Sequence, residues 1–129
     1  MGSGNKIIKG TIAKGLGEGA YFMSMPHYKN QIKDRLGFAA YPGTLNIKTE
    51  KSKIAKIKES KPIRIDGFES KGKILGGASC FDAKIKEIKG SIIMPDINKH
   101  EDIIEFIASV HVKTKLNIKD GDKIKVEIK

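Results

Sequence analysis

The sequence is short, moderately hydrophobic and strongly basic. Its 129 residues are enough for one domain, so we expect residues 1–129 to form a single domain. Hydrophobic residues make up 39% and charged residues 31%, which is typical of a globular protein. The apolar runs are short, so we expect no transmembrane helix, no secretory signal and no membrane partner. Cys80 is the single cysteine, which excludes a disulfide or cysteine-based zinc site and fits a cytoplasmic protein.

The charge favours anionic ligands. Lys and Arg number 25 against 15 Asp and Glu, a formal charge of +10. Such a field attracts nucleic acid, acidic lipid or phosphorylated small molecules, although a bias of the genome toward lysine would also produce it. Arg35 and Arg64 are the two arginines, and aromatic residues make up 6%. Few arginines are available to recognise bases, and few aromatic side chains are available to stack on single-stranded nucleic acid. We therefore expect no nucleic-acid partner.

The first half of the chain alternates short strands with helices. Alternation and β-branched residues predict a strand at 6–13 and a shorter one at 21–25. A helix is predicted at 26–36, where Pro26 begins it, Tyr28, Ile32 and Leu36 share one face, and Gly37 ends it. A strand at 44–49 and a short helix at 52–59 follow.

The second half is mainly β. Strands are predicted at 62–66, 72–75, 83–88, 91–94 and 123–128, separated by turns at 67–70, 76–79 and 119–122. Residues 102–108 fit a strand better than a helix because of their β-branched content, and 111–116 could form a short helix. Many short strands at this spacing predict a mainly β barrel or sandwich.

A glycine-rich segment separates the first two predicted strands. Gly15, Gly17 and Gly19 alternate with Leu16, Glu18 and Ala20. Glycine lets backbone N–H groups converge on an anion, so the segment could cradle a phosphate. It lacks the Walker ending and the helix of a dinucleotide fingerprint, so on its own it is a weak signal, and a flexible hairpin turn is the simpler interpretation.

Two further segments carry polar groups suited to a site. After the Pro42-Gly43 turn, alternation places Thr44 and Asn46 on one face, where their oxygens could bind magnesium or form a capped turn. Glu105 lies among isoleucines and a phenylalanine. Its carboxylate could bind a ligand or act as a general base, or Glu105 could be an exposed residue on an edge strand. His27, His100 and His111 have no metal-ligand spacing, and Cys80 is expected in the core.

Taken in order, these segments resemble the archaeal CTP-dependent riboflavin kinase family. The resemblance rests on GLGEGAYFMS from Gly15, PGTLN from Pro42, IIEFIA from Ile103 and LNIKDGDKIKVEI from Leu116. It implies a single compact six-stranded cradle-loop barrel with one or two short helices. It implies magnesium-dependent transfer of the γ-phosphoryl of CTP to the 5′-hydroxyl of riboflavin, giving FMN and CDP.

The resemblance also implies roles for individual residues. Thr44 and Asn46 would hold the magnesium, and Asn98 and Glu105 would contact the flavin. If riboflavin is the acceptor, as the resemblance implies, we expect Glu105 to orient or deprotonate the ribityl hydroxyl as the catalytic group. The nucleotide would be bound by the glycine loop and by a second segment: Gly15, Leu16, Gly17, Glu18, Gly19, Ala20, Val110, His111, Val112 and Lys113.

Some positions depart from the family pattern. Ala20 stands where members often carry Arg, and Ser109 and Lys113 replace an otherwise common Pro and Arg. These departures leave the nucleotide preference open. We expect a monomer whose partners are riboflavin and CTP, with no preceding helix-turn-helix regulator. A basic barrel that binds nucleic acid and a non-catalytic flavin or nucleotide binder are the alternatives.

Overall fold

Nine strands and three helices make up the part of the chain that the computed structural model describes, namely residues 6–15, 23–97 and 101–129. The strands are β1 (Lys6–Ala13), β2 (Leu45–Lys48), β3 (Ile63–Ile65), β4 (Phe68–Ser70), β5 (Lys73–Leu75), β6 (Ala78–Ile85), β7 (Ile88–Pro95), β8 (Ile103–Ala108) and β9 (Lys123–Ile128). The helices are α1 (Pro26–Leu36), α2 (Lys51–Lys58) and α3 (Val112–Leu116). None of the described helices is long and apolar enough to cross a membrane.

Six of the strands close into an antiparallel barrel, as predicted. Their order is β6-β7-β8-β2-β1-β9, and β9 pairs back to β6. Closure leaves no unpaired edge among these six strands, because every strand has a neighbour on both sides. β3 adds a short extension beside β6, and β4 and β5 form a separate hairpin.

The barrel interior holds the larger core. Alternate residues of the strands point inward, among them Ile12, Ile47, Ile92, Phe106 and Val126. Ile54 and Ile57 on α2 belong to the same cluster, so this helix packs its apolar face on the barrel. A core dominated by branched aliphatic side chains therefore holds the strands of the barrel together.

A second core lies on the outer face of the barrel, beneath α1. Tyr28 and Ile32 on this helix pack with Cys80 and Ile107 from the outward side of β6 and β8. The helix begins with Pro26 and ends at Gly37, whose φ of 86° is left-handed. Its bounds match the sequence prediction. Glu105 shares this outward face of β8 with Ile107, because Ile104 and Phe106 between and beside them point into the barrel.

Two of the predicted strands were wrong in part. Met23 and Ser24 are helical or turn rather than strand, Met25 is the extended residue that precedes α1, and residues 21 and 22 lie outside the described residues. The strand predicted at 83–88 instead belongs to two strands, since β6 ends at Ile85 and β7 begins at Ile88. Lys86 makes the tight turn between them with a φ of 51°, a left-handed conformation that is unfavourable for a residue with a side chain. The sequence has no glycine here that would have indicated a turn.

Candidate active site

Strands β2 and β8 bring the predicted metal ligands and the predicted base together. Asn46 lies directly opposite Glu105 in the antiparallel register. Thr44 precedes β2, and its Oγ1 donates a hydrogen bond of 2.9 Å to Glu105 Oε1. Leu45, between them, points into the barrel core. Alternation along β2 thus presents Thr44 and Asn46 to the same side as Glu105, although 61 residues separate Thr44 from Glu105.

Glu105 is half-buried on an otherwise apolar strand. Its neighbours Ile104 and Phe106 point into the barrel, and Ile107 packs beneath α1. A buried carboxylate is costly without hydrogen-bond donors, and the Thr44 hydroxyl supplies one. A carboxylate accepts several hydrogen bonds, so this contact is compatible with a substrate hydroxyl at the same group.

The beginning of the glycine loop lies against Asn46. Ala13, the last residue of β1, is the register partner of Asn46. Gly15 follows two residues later, and a Cβ built on it would lie 3.1 Å from Asn46 Nδ2. This spacing is closer than ordinary van der Waals contact. Leu16, Gly17, Glu18, Gly19 and Ala20 lie outside the described residues.

One cavity of about 250 Å³ joins three of the predicted segments. Its lining includes Gly15 from the glycine loop, Thr44 from the turn before β2, and residues 110–113 from the start of α3. The remaining lining residues are Tyr41, Pro42, Gly43, Leu45 and Phe106. Residues far apart in the sequence therefore converge on one hollow at the end of the barrel where β1 ends and β2 begins.

Tyr41 is a site residue that the sequence analysis missed. Its ring centroid lies 5.1 Å from that of His111, with the planes inclined by 43°. Its backbone N–H donates to the Ala108 carbonyl at 2.7 Å, which fixes the turn beside β8. The signal available in the sequence was its position in the loop before β2, because binding residues lie disproportionately on loops.

The cavity has a positive side at α3. Lys113 is half-buried, and its Nζ lies 2.6 Å from Asp120 Oδ1. His111 is exposed, and its Nδ1 lies 2.6 Å from Thr114 Oγ1. Neither arginine of the chain lines the cavity. An anion bound here would therefore meet an ammonium group already paired with a carboxylate, rather than a guanidinium fork.

The arginines instead hold two carboxylates near β3. Arg64 forms two hydrogen bonds of 2.7 Å to Asp96, and Arg35 contacts Asp66 at 2.9 Å. The hydrogen bonds from Arg64 hold the pKa of Asp96 below its usual range, and the single hydrogen bond from Arg35 does the same for Asp66. These pairs stabilise the surface beside the second core.

The donor set at the site suits a hard cation. Among the described residues no group of three His, Cys, Asp or Glu could hold a metal ion. Thr44 and Asn46 nevertheless offer hydroxyl and carboxamide oxygens beside the Glu105 carboxylate. Magnesium bound to a nucleotide takes one or two protein ligands and fills the rest with phosphate and water, so these residues fit it.

Other candidate residues have structural roles or lie outside the described part. Cys80 is fully buried, and burial raises its pKa to about 12, so it carries no thiolate near neutral pH. It is a core residue, as predicted. His27 is half-buried against Phe68, with ring centroids 4.2 Å apart. Asn98 and His100 lie outside the described residues.

Comparison with known proteins identifies relatives over almost the whole chain. The model of the CTP-dependent riboflavin kinase domain, described as a domain of unknown function (DUF120), matches residues 12–128. The chain is 38% identical over 126 residues to the riboflavin kinase of Methanosarcina acetivorans, covering 95% of this chain and 53% of that protein. It is 41% identical over 125 residues to that of Pyrobaculum calidifontis, covering 94% and 59%.

A third relative, the riboflavin kinase of Thermoplasma acidophilum, is 35% identical over 127 residues, covering 96% of this chain and 58% of that protein. The chain thus spans somewhat more than half the length of these curated relatives. The family match covers β2 and β8, which meet at the site, and the whole barrel except the first six residues of β1. The chain belongs to the CTP-dependent riboflavin kinase domain family.

Proposed function

We propose that this protein is a CTP-dependent riboflavin kinase. It transfers the γ-phosphoryl group of CTP to the 5′-hydroxyl of riboflavin and releases FMN and CDP. The observation that carries the proposal is the convergence of Gly15, Thr44, Asn46 and Glu105, which supplies the parts that phosphoryl transfer needs in one place. The relatives' printed names, riboflavin kinase, support the choice of flavin as acceptor.

The nucleotide occupies the cavity between the glycine loop and α3. Its phosphates lie toward Gly15 and the residues after it: Leu16, Gly17, Glu18, Gly19 and Ala20. Val110, His111, Val112 and Lys113 form the opposite wall. Backbone N–H groups of a glycine-rich segment can surround an anion without steric interference, and Lys113 adds positive charge. The cavity volume of about 250 Å³ is at the small end for a ligand pocket, which suits part of a nucleotide rather than all of it.

Thr44 and Asn46 hold magnesium when the nucleotide is bound. The ion neutralises charge on the phosphates and fixes their orientation. The Thr44 hydroxyl donates a hydrogen bond of 2.9 Å to Glu105 Oε1, and its oxygen lone pairs would remain available to hold the cation. The same hydroxyl thereby links the metal site to the carboxylate.

Glu105 positions the acceptor and takes its proton. The riboflavin 5′-hydroxyl donates a hydrogen bond to the carboxylate, with Asn98 as a further flavin contact. As the hydroxyl oxygen bonds to the γ-phosphorus, the bond from that phosphorus to the CDP oxygen breaks. The hydroxyl proton moves to Glu105, and CDP leaves with the electron pair of the broken bond. Thr44 holds the carboxylate in place throughout.

The remaining features of the proposal concern the whole protein. The barrel begins at Lys6 and ends at Ile128, which supports one domain over the length of the chain. We propose that the protein acts as a monomer in the cytoplasm, with riboflavin and CTP as its small-molecule substrates. The reaction needs no second catalytic subunit, because each proposed catalytic group comes from this chain.

The test is conversion of riboflavin to FMN by the purified protein with CTP and magnesium. We expect FMN and CDP in equal amounts, and a lower rate with ATP at the same concentration. Glu105→Gln should reduce kcat by about 100-fold to 10,000-fold, the usual range for a general base, with little change in the KM for CTP. Glu87→Gln, in the exposed turn between β6 and β7, is the matched control and should leave the rate unchanged.

Failure to form FMN, with riboflavin and CTP both bound, would favour the non-catalytic flavin or nucleotide binder. A normal rate in Glu105→Gln would remove the proposed base while leaving the kinase proposal intact. Riboflavin binding, measured from the quenching of its fluorescence, shows whether an inactive protein still binds the acceptor. A binding-competent, inactive wild type contradicts the proposal as a whole.

A further inference from the structure

A second concave surface lies away from the candidate active site and is rich in lysine. It is an open groove of about 1,200 Å³ formed by β1, β9, the end of β6 and the connection from β2 to α2. Seven of its 16 lining residues are lysines, and two are glutamates. None of its lining residues lines the 250 Å³ cavity. We call it the lysine groove.

A general bias toward lysine does not explain this concentration. Lysine accounts for 7 of the 16 groove residues but for only 16 of the other 113 residues of the chain. The groove carries a net charge of +5, half of the formal +10, on about an eighth of the sequence. A biased genome would distribute lysines over the whole surface, so the concentration calls for a separate reason.

The strand register places these lysines side by side. Lys9 on β1 is the direct cross-strand partner of Lys125 on β9. One row further along, Thr11 pairs with Lys48 on one side and with Lys123 on the other. Like charges directly opposite each other destabilise a sheet, and opposite charges at these positions would stabilise it. The arrangement therefore reduces stability rather than serving it.

Most of the groove lysines also have no ion-pair partner within the described part of the chain. Lys84 pairs with Glu127 at 3.6 Å, and Lys48 lies 3.9 Å from Asp102. No described carboxylate lies within ion-pair distance of the other five: Lys9, Lys53, Lys86, Lys123 and Lys125. Five cations thus face one groove without internal neutralisation.

We propose that the lysine groove binds the phosphate backbone of double-stranded nucleic acid without reading its sequence. A duplex carries one negative charge per about 1.7 Å, the charge density that a cluster of unpaired lysines complements best. The groove lining contains no arginine and no aromatic residue, so it offers neither the usual bidentate base contact nor a stacking surface. Phosphate contact remains as its mode of recognition.

Its shape favours a duplex over a membrane. The surface is concave, whereas a bilayer presents a broad plane. Ile7 is the one large exposed hydrophobic side chain in the described groove lining, too little for insertion into lipid. The proposal revises the expectation of no nucleic-acid partner. That expectation was based on the scarcity of arginine and aromatic residues, which recognise or stack on bases, and did not consider where the lysines lie in the fold.

Salt dependence of duplex binding is the quantitative test. Five phosphate contacts predict a slope of about −4.5 for the logarithm of the association constant against the logarithm of salt concentration. Between 50 and 200 mM KCl this corresponds to a loss of affinity of about 500-fold. The probe is a fluorescein-labelled 20-base-pair duplex of random sequence, followed by anisotropy with the wild-type chain.

Variants then locate the contacts. The triple variant Lys9→Gln, Lys123→Gln, Lys125→Gln should reduce the slope by about three. A variant with arginine at the same positions should retain the wild-type slope. The control has the same net charge, with glutamine at three lysines outside the groove: Lys29, Lys33 and Lys73. It should keep a slope near that of the wild type.

Three results would overturn the proposal. The first is no duplex binding at 50 mM KCl. The second is equal loss in the groove and control variants, which would show an effect of net charge alone. The third is binding to phosphatidylserine vesicles without binding to the duplex. Riboflavin phosphorylation, if present, should be the same in the wild type and the groove variant, so failure of one proposal does not imply failure of the other.

Discussion

Gly15→Ala tests the link between the glycine loop and the proposed magnesium ligand. The added Cβ would lie 3.1 Å from Asn46 Nδ2, so the carboxamide must move by a few tenths of an ångström. Magnesium requires near-ideal octahedral geometry, with ligand distances of about 2.0–2.1 Å, and tolerates such movement poorly. We expect the magnesium concentration for half-maximal rate to rise about tenfold, equivalent to about 1.4 kcal/mol.

The assay is FMN formation at fixed CTP and riboflavin, with magnesium titrated and the melting temperature measured in parallel. Gly76→Ala is the matched control, because its Cβ would contact only Ile97 side-chain atoms at 3.6 Å and beyond. We expect both variants to melt close to the wild type. An unchanged magnesium titration in Gly15→Ala, with a clear shift in Asn46→Ala, would refute the inferred contact between the loop and the metal site.

Three further predictions follow from single contacts. Thr44→Val removes the donor to Glu105 and should lower kcat/KM at least tenfold, whereas Thr44→Ser keeps the hydroxyl and should restore most of it; equal loss in both would contradict the hydrogen-bond argument. Gly90→Ala should lower the free energy of unfolding by about 3 kcal/mol in urea denaturation, because its Cβ would clash with the main-chain oxygen of Ile107 on β8; a wild-type midpoint would show that the barrel wall can relax. Arg64 lowers the pKa of Asp96 in the folded state. The Asp96 carboxylate therefore contributes to the stability of the fold above its unfolded pKa of about 3.9, and this contribution is lost as pH falls through the lower folded pKa. The Asp96→Asn variant should therefore lose less stability than the wild type between pH 5 and pH 2, and a parallel loss would contradict the assigned pair.

Local patterns predicted elements well where propensity and tertiary context agree. Alternation set the bounds of β1 and β9, and proline and glycine set those of α1. The failure at 83–88 has a local cause, because Lys86 and Glu87 form a turn without glycine, proline or asparagine. At residues 76 and 77 the error was the reverse, because the two glycines predicted a turn as far as residue 79, whereas β6 already begins at Ala78.

The site was predictable in its residue types but not in its assembly. Alternation alone placed Thr44 and Asn46 on one face of the strand predicted at 44–49. Their proximity to Glu105 depends on the pairing of β2 with β8, a long-range contact that no local pattern specifies. The hydrogen bond from Thr44 to Glu105 is a consequence of that register. The lysine groove has the same origin, because the pairing of β1 with β9 converts scattered lysines into one surface.

The transfer of label from γ-³²P-CTP tests the central claim most directly. The purified chain, riboflavin, magnesium and labelled CTP are combined in a single turnover, and the products are separated by chromatography. The account predicts that the label appears in FMN, with unlabelled CDP formed in equal amount. Label recovered only as inorganic phosphate or unreacted CTP, with riboflavin unchanged, would contradict it.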